Sequence, residues 1–167
     1  MSEIEHSKSL VNRSTRHAKI CGNFFENLVL YVLSRNGFET ALVDHTGIDI
    51  LARNPISGEY LGISVKGRTR NSGERAGRVK IDNFQDHLDK IDSACVAFGN
   101  ATPYLAVLVD ANNEINGTLV PVKNVKEKYW SGDRNLNWGM GKESLNIYKT
   151  DPDTRLFTLK FGDSIWF

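Results

Sequence analysis

The chain has 167 residues, 40% of them hydrophobic and 25% charged, with 21 Lys and Arg against 20 Asp and Glu for a formal net charge of +1. That balance excludes a polybasic tail protein, an acidic solvating chain and a low-complexity segment. The length suits one domain, residues 1–167, of the roughly 100 to 200 residues that can bury a core of their own. Cys21 and Cys95 lie in apolar segments without CxxC spacing, so neither a disulfide framework nor a zinc site is expected, and a reducing, cytoplasmic compartment fits. The residues up to Lys19 lack the apolar stretch of a signal peptide, and no run approaches the roughly 18 apolar residues of a membrane span. Neither a leader nor a membrane partner is therefore expected.

The spacing of Ile20, Phe24, Phe25, Leu28, Val29, Val32 and Leu33 predicts a long helix from about Ser14 to Asn36, stopped by Gly37. Leu30 and Tyr31 widen its apolar surface beyond one face. The pattern then becomes extended, and Glu39 to Asp44, Gly47 to Arg53 and Tyr60 to Lys66 read as three strands. Asn54 to Glu59 is a strong turn signal, which makes the second and third strands a hairpin. Arg68 to Arg78 reads as a loop of Gly, Ser, Asn and Arg, and Ile81 to Ile91 as a helix with Phe84, Leu88 and Ile91 on one face. Ala94 to Phe98, Tyr104 to Asp110 and Thr118 to Val122 read as strands, and Lys123 to Trp130 as a short helix. Ser131 to Glu143 reads as loop, with Leu145 to Tyr148 and Leu156 to Phe161 as late strands. The order is that of an α/β domain with a mixed sheet flanked by helices.

If the hairpin loop is Asn54 to Glu59, Arg53 pairs with Tyr60, and counting back along both strands brings Asp49 opposite Ser64. Lys66 is then the diagonal neighbour of Asp49, within reach of a long side chain. A slip of one residue would break the arrangement, because it turns one strand over. An acid and a lysine on one sheet face, with Glu26 on a preceding helix, make a workable site for phosphodiester hydrolysis. Carboxylates are the hard ligands Mg²⁺ prefers, and lysine steadies developing negative charge. Each residue also has a plain structural reading. Asn23 to Glu26 has capping-box spacing, Asp49 follows a turn glycine, and Lys66 suits an edge strand. Ser64 reads as structural filler rather than a nucleophile, since no histidine lies at a recognisable triad spacing. His6, His17, His45 and His87 show no metal-binding spacing. Trp130, Trp138 and Trp166 read as residues that close a core edge rather than as base-stacking platforms.

Helical Glu26, Gly47-Ile48-Asp49 opening a strand, and a hairpin ending in Ile63-Ser64-Val65-Lys66 together resemble the core of the PD-(D/E)XK nuclease superfamily, the restriction-endonuclease-like fold. Small Holliday-junction-resolvase-like and Mrr-like members are the nearest in look. The resemblance covers an α-β-β-β-α-β core over about residues 14 to 110, with 111 to 167 as a C-terminal extension. It implies that Asp49 and Glu26 hold Mg²⁺ or Mn²⁺, that the Val65 carbonyl coordinates, and that Lys66 is the catalytic lysine. Ser64 departs from the pattern, which has an acid, or sometimes Gln, two residues before the lysine. The resemblance thus implies either a metal-dependent nuclease or a catalytically degenerate domain that binds nucleic acid or a protein.

Charge is unevenly spread. Lys66, Arg68, Arg70, Arg75, Arg78 and Lys80 face only Glu74, a local balance of +5, and Lys8, Arg13, Arg16 and Lys19 form an acid-free run before the Glu26 helix. Two basic runs flanking one site match the phosphate contacts that supply most non-specific nucleic-acid affinity. DNA is the expected partner and RNA stays open, because nothing in the runs resembles base readout. A homodimer stays open as well, whether through pairing of nuclease domains or through the Phe-rich end from Leu156 to Phe167.

Overall fold

The computed structural model describes residues 14–71 and 73–161. Helix α1 (Thr15–Arg35) begins where Ser14 accepts a hydrogen bond from the His17 N–H at 3.2 Å, and it closes at Asn36 before Gly37, whose φ is +86°. Phe25, Leu28, Val29 and Leu33 form its buried stripe. Burial of such side chains stabilises the helix by about 1.5–3 kcal/mol each, which fixes the rotation of the helix about its own axis. The helix starts well before Glu26, so that residue lies mid-helix and the capping-box reading of Asn23 to Glu26 does not hold.

Strands β1 (Glu39–His45), β2 (Ile48–Arg53) and β3 (Tyr60–Thr69) follow, then β4 (Arg78–Ile81), α2 (Phe84–Ala97), β5 (Thr102–Ala111) and β6 (Glu114–Pro121). A helical turn, α3 (Val122–Asn124), runs into one π-helical turn at Val125–Tyr129; β7 (Leu136–Gly139), α4 (Lys142–Tyr148) and β8 (Arg155–Lys160) complete the described chain. The main sheet has six strands in the order β1-β2-β3-β5-β6-β8, and β4 and β7 form a separate two-stranded ribbon. Among the described residues, the β3–β5 pairing is the one parallel pairing of the main sheet. This is the mixed sheet expected from the sequence, and the core order α-β-β-β-α-β is present with β4 inserted before the second helix.

Helix α1 packs on one face of the sheet through Phe25, Val29, Ile50, Ile63, Ala106 and Leu108. The opposite face packs Phe84, Leu88 and Ile91 of α2 against Leu105, Val107 and Val109, and this second core continues into Trp138 and Tyr148 of the C-terminal segment.

Several sequence expectations are corrected. Ala94 to Phe98 is not a strand: Ala94 to Ala97 form the last turn of α2, with Ala94 and Cys95 buried and Val96 66% exposed. The 84, 88, 91, 95 spacing carries the helical period through a run whose composition alone reads as a strand. Leu145 to Tyr148 lies in α4, anchored by buried Tyr148, and Ile81 belongs to β4 rather than to α2. The segment read as loop from Ser131 to Glu143 contains β7, whose Trp138 pairs with Val79. The basic loop is shorter than expected, because β3 runs on to Thr69. Lys8, Arg13, His6, Trp166 and Phe167 lie outside the described residues.

Candidate active site

The site forms at the start of β2, where its pairing with β3 ends and β3 runs on beside β5. The β2–β3 ladder runs from Arg53↔Tyr60 to Ile50↔Ile63, the register counted from the turn, and Asp49 and Ser64 are the first residues beyond its end. Ile48 joins the core on the α2 side while Ile50 joins the core on the α1 side. Two residues apart, they would share a face in a regular strand; the strand therefore turns over at Asp49. Its carboxylate Oδ2 accepts the Val65 N–H at 2.6 Å and faces the Ser64 hydroxyl at 3.5 Å. A side chain thus satisfies a β3 backbone donor that the departing strand no longer meets.

Two glycines set these positions. Gly47 has φ +109°, and a Cβ there would stand 2.2 Å from the Lys90 carbonyl oxygen, so the β1–β2 turn sits directly on the α2 backbone. A Cβ on Gly67 would stand 2.2 Å from Cδ2 of Phe25, so α1 rests its Phe25 ring on β3 beside Lys66. Glu26, the next residue of α1, is half-buried at the same place. Its pKa is raised, first by burial and then by the negative charge of Asp49, against the lowering effect of Lys66. Glu26, Asp49 and Lys66, from a helix and two strands, therefore share one electrostatic neighbourhood.

The sequence reading missed His87. On α2, its Nε2 lies 3.3 Å from the Ser64 Oγ, which gives a contact chain Asp49–Ser64–His87. Burial is the main cause of its pKa falling to about 4, with Lys66 and Lys90 adding to the effect and Asp86 opposing it. The available signal was its place one residue off the buried Phe84–Leu88–Ile91 stripe, on the flank turned toward β3. Ser, His and Asp meeting at one point do not make a nucleophilic triad here. Ser64 is 1% exposed, and the carboxylate touches the serine rather than orienting the imidazole.

The basic residues divide by partner. Lys66, Arg68, Lys80 and His87 line an open groove of about 380 Å³ between the end of β3, β4 and α2. Arg68 and Gly67 also line a second cavity, of about 340 Å³, against the first turns of α1. The candidate centre thus sits beside a cleft that crosses the end of β3. Arg75, Arg78, Arg16 and Lys19 are exposed, the last two on the first turns of α1. Arg70 differs: its Nε donates to the Ala76 carbonyl at 3.1 Å and its Nη2 to the Arg78 carbonyl at 2.7 Å, so it clamps the loop. Lys80 pairs with Asp82 at 2.6 Å.

Among the described residues no group of three or more His, Cys, Asp and Glu side chains converges as a metal cage. Two carboxylates that repel one another do converge, and Mg²⁺ is commonly held by one or two carboxylates with waters and substrate phosphate completing its shell. The donors present fit that kind of site. Among the described residues no helix is long and apolar enough to cross a membrane.

No protein-family model matches the sequence, and no curated protein matches it. Among solved structures, the chain is similar to Hjc, a Holliday junction resolvase from the archaeal hyperthermophile Archaeoglobus fulgidus, with 21% identity and a TM-score of 0.54 over 76% of this chain and 88% of that one. A restriction endonuclease in complex with substrate DNA aligns more loosely, at 14% identity and a TM-score of 0.36 over 89% of this chain and 73% of that one. The helix, the three strands, the second helix and the parallel strand are those of the restriction-endonuclease-like fold.

Proposed function

We propose that the protein is a metal-dependent nuclease that hydrolyses DNA phosphodiester bonds at the end of β3. The observation that carries this reading is the convergence of Glu26, Asp49 and Lys66 from three elements beside an open basic groove. Asp49 and Glu26 would hold Mg²⁺ or Mn²⁺. The Val65 carbonyl would join them, since in an extended strand it points to the same side as the Val65 N–H that Asp49 accepts. The ion supplies charge neutralisation at the phosphate and a more acidic water. Lys66 would stabilise developing negative charge, while Arg68, Arg75, Arg78 and Lys80, with Arg16 and Lys19 on the first turns of α1, would bind the phosphate backbone. Plasmid nicking in Mg²⁺ or Mn²⁺ by the wild type, lost in Asp49→Ala and in Lys66→Ala, is the expected result. Cleavage unchanged in both variants would remove the assignment.

Ser64 favours a second reading, a nuclease-fold domain that binds nucleic acid without cutting it. A hydroxyl is a much poorer Mg²⁺ ligand than a carboxylate, and this one already faces Asp49 and His87. That reading expects salt-dependent DNA binding by the wild type, and nicking only in Ser64→Glu.

A further inference from the structure

We propose that His87 is the proton acceptor for the attacking water, in a site where residue 64 offers no carboxylate. The inference rests on the nuclease reading and adds a residue from α2 to it. His87 lines the groove together with Lys66, Arg68 and Lys80, so its ring borders the space a phosphodiester would enter. Ser64 cannot do this work itself, being buried between Asp49 and His87.

The contact chain also assigns the free nitrogen. Ser64 has one hydroxyl hydrogen, and the acceptor-only partner open to it is the Asp49 Oδ2 at 3.5 Å, a placement we take as part of the proposal. The Ser64 oxygen then accepts from the His87 Nε2–H, and the lone pair of the neutral ring is on Nδ1. The Phe84 ring lies beside the His87 ring, with centroids 6.3 Å apart. The charged groups around the ring come from each neighbouring element: Lys66 on β3, Asp49 on β2 through Ser64, the Lys80–Asp82 pair bordering the groove on and just after β4, and Asp86 and Lys90 on α2. Burial and the nearby lysines keep the imidazole unprotonated through the neutral range, with its pKa at about 4. In the step itself, one water O–H bond breaks and its proton passes to Nδ1. The freed oxygen pair bonds to phosphorus, the P–O bond to the leaving oxygen breaks, and that oxygen takes a proton from solvent.

Single-turnover cleavage of a labelled DNA duplex and a four-way junction in Mn²⁺, measured beside DNA affinity and thermal melting, tests the proposal. We expect His87→Gln and His87→Asn to lower the rate by about 100-fold or more, with DNA affinity unchanged. Added imidazole should restore activity to His87→Ala, which also decides the matter if the Gln and Asn variants do not melt cooperatively. A folded His87→Gln cutting at the wild-type rate overturns the proposal, as does a folded His87→Ala that imidazole does not rescue. If the wild type cuts, Asp49→Ala does not and His87→Gln does, only the His87 role falls. A wild type that cuts neither substrate with any divalent metal removes the nuclease reading, and this inference with it.

Discussion

At position 64 a hydroxyl stands where the motif that the sequence resembles has an acid, and its surroundings predict what introducing an acid would do. Ser64 is buried against Asp49, and the Glu26 carboxyl nearby is already hard to ionise because of burial and the Asp49 charge. A third carboxylate adds repulsion in a place of low solvent access. Ser64→Glu is therefore expected to melt below the wild type without divalent cations and to regain stability as Mg²⁺ or Mn²⁺ is added, because binding to the folded state alone shifts the unfolding equilibrium. Melting with and without EDTA measures this. His87 makes a separate prediction. Its folded pKa of about 4 lies below the ordinary 6.5, so between those values the unfolded chain binds the extra proton. Its contribution to stability is present above pH 6.5 and is lost as the pH falls toward about 4, and His87→Gln should flatten urea midpoints across that window. Arg68 and Arg70 contrast in the same way. Arg68→Ala should weaken DNA binding and reduce the slope of log K against log salt by about 1. Arg70→Ala should act through the loop it clamps, lowering the protection of residues 73–78 from hydrogen exchange.

Among the elements, the contact of α1 with β3 decides whether Glu26 reaches the site. Phe25 lies on Gly67 with no room for a Cβ, so Gly67→Ala must lift the helix or displace the ring. The expected cost is about 1–3 kcal/mol of unfolding free energy by urea titration, as for other over-packed cores. Cleavage should fall with it, because Glu26 moves with Phe25. Helix α2 is tied in another way. Asn83 at its start has φ +48°, and its side-chain Oδ1 accepts from the Arg134 Nε at 2.8 Å. The first helical N–H, that of Phe84, donates to the Arg134 carbonyl, also at 2.8 Å. An orphan donor of the helix that carries His87 is thus satisfied by the segment leading into β7.

On the scale of the molecule, the C-terminal segment builds onto the core rather than trailing from it. β6 and β8 widen the main sheet, and β7 pairs with β4, the strand that carries Lys80 on the groove wall. The Trp138 and Tyr148 rings stack at 4.6 Å, and Tyr129 meets both edge-on. Next to them buried Asp151 accepts from the Tyr129 hydroxyl at 2.7 Å and from Lys128 at 3.0 Å. Burial pushes the Asp151 pKa up, but those bonds outweigh it and bring it down to about 2. A carboxylate depressed in the folded state stabilises the fold above its ordinary range, and that stability is lost as the pH falls from about 4 toward 2. Asp151→Asn should lower the melting temperature at pH 7 and flatten its decline in that acid window.

Local pattern was enough for α1, for the three strands after it and for the register of the β2–β3 hairpin. Each depends on neighbours in sequence: the Phe25–Leu28–Val29–Leu33 spacing, the Asn54 to Glu59 turn, and a count from Arg53 and Tyr60. The same count put Asp49 opposite Ser64. Local pattern failed at Ala94 to Ala97 and at Leu145 to Tyr148, where short apolar runs fit a strand or a helix equally well and burial against distant residues chose the helix. It also left His87 without a role, because α2 reaches Ser64 only after β3, α2 and β5 have packed. The uneven charge was visible along the chain, but tertiary contacts separated Arg68, which lines the groove with Lys66, Lys80 and His87, from Arg70, whose hydrogen bonds hold the loop. Periodicity and turn chemistry act over a few residues and can be read in order; a site assembled from a helix, two strands and a second helix exists only once long-range packing has closed the sheet.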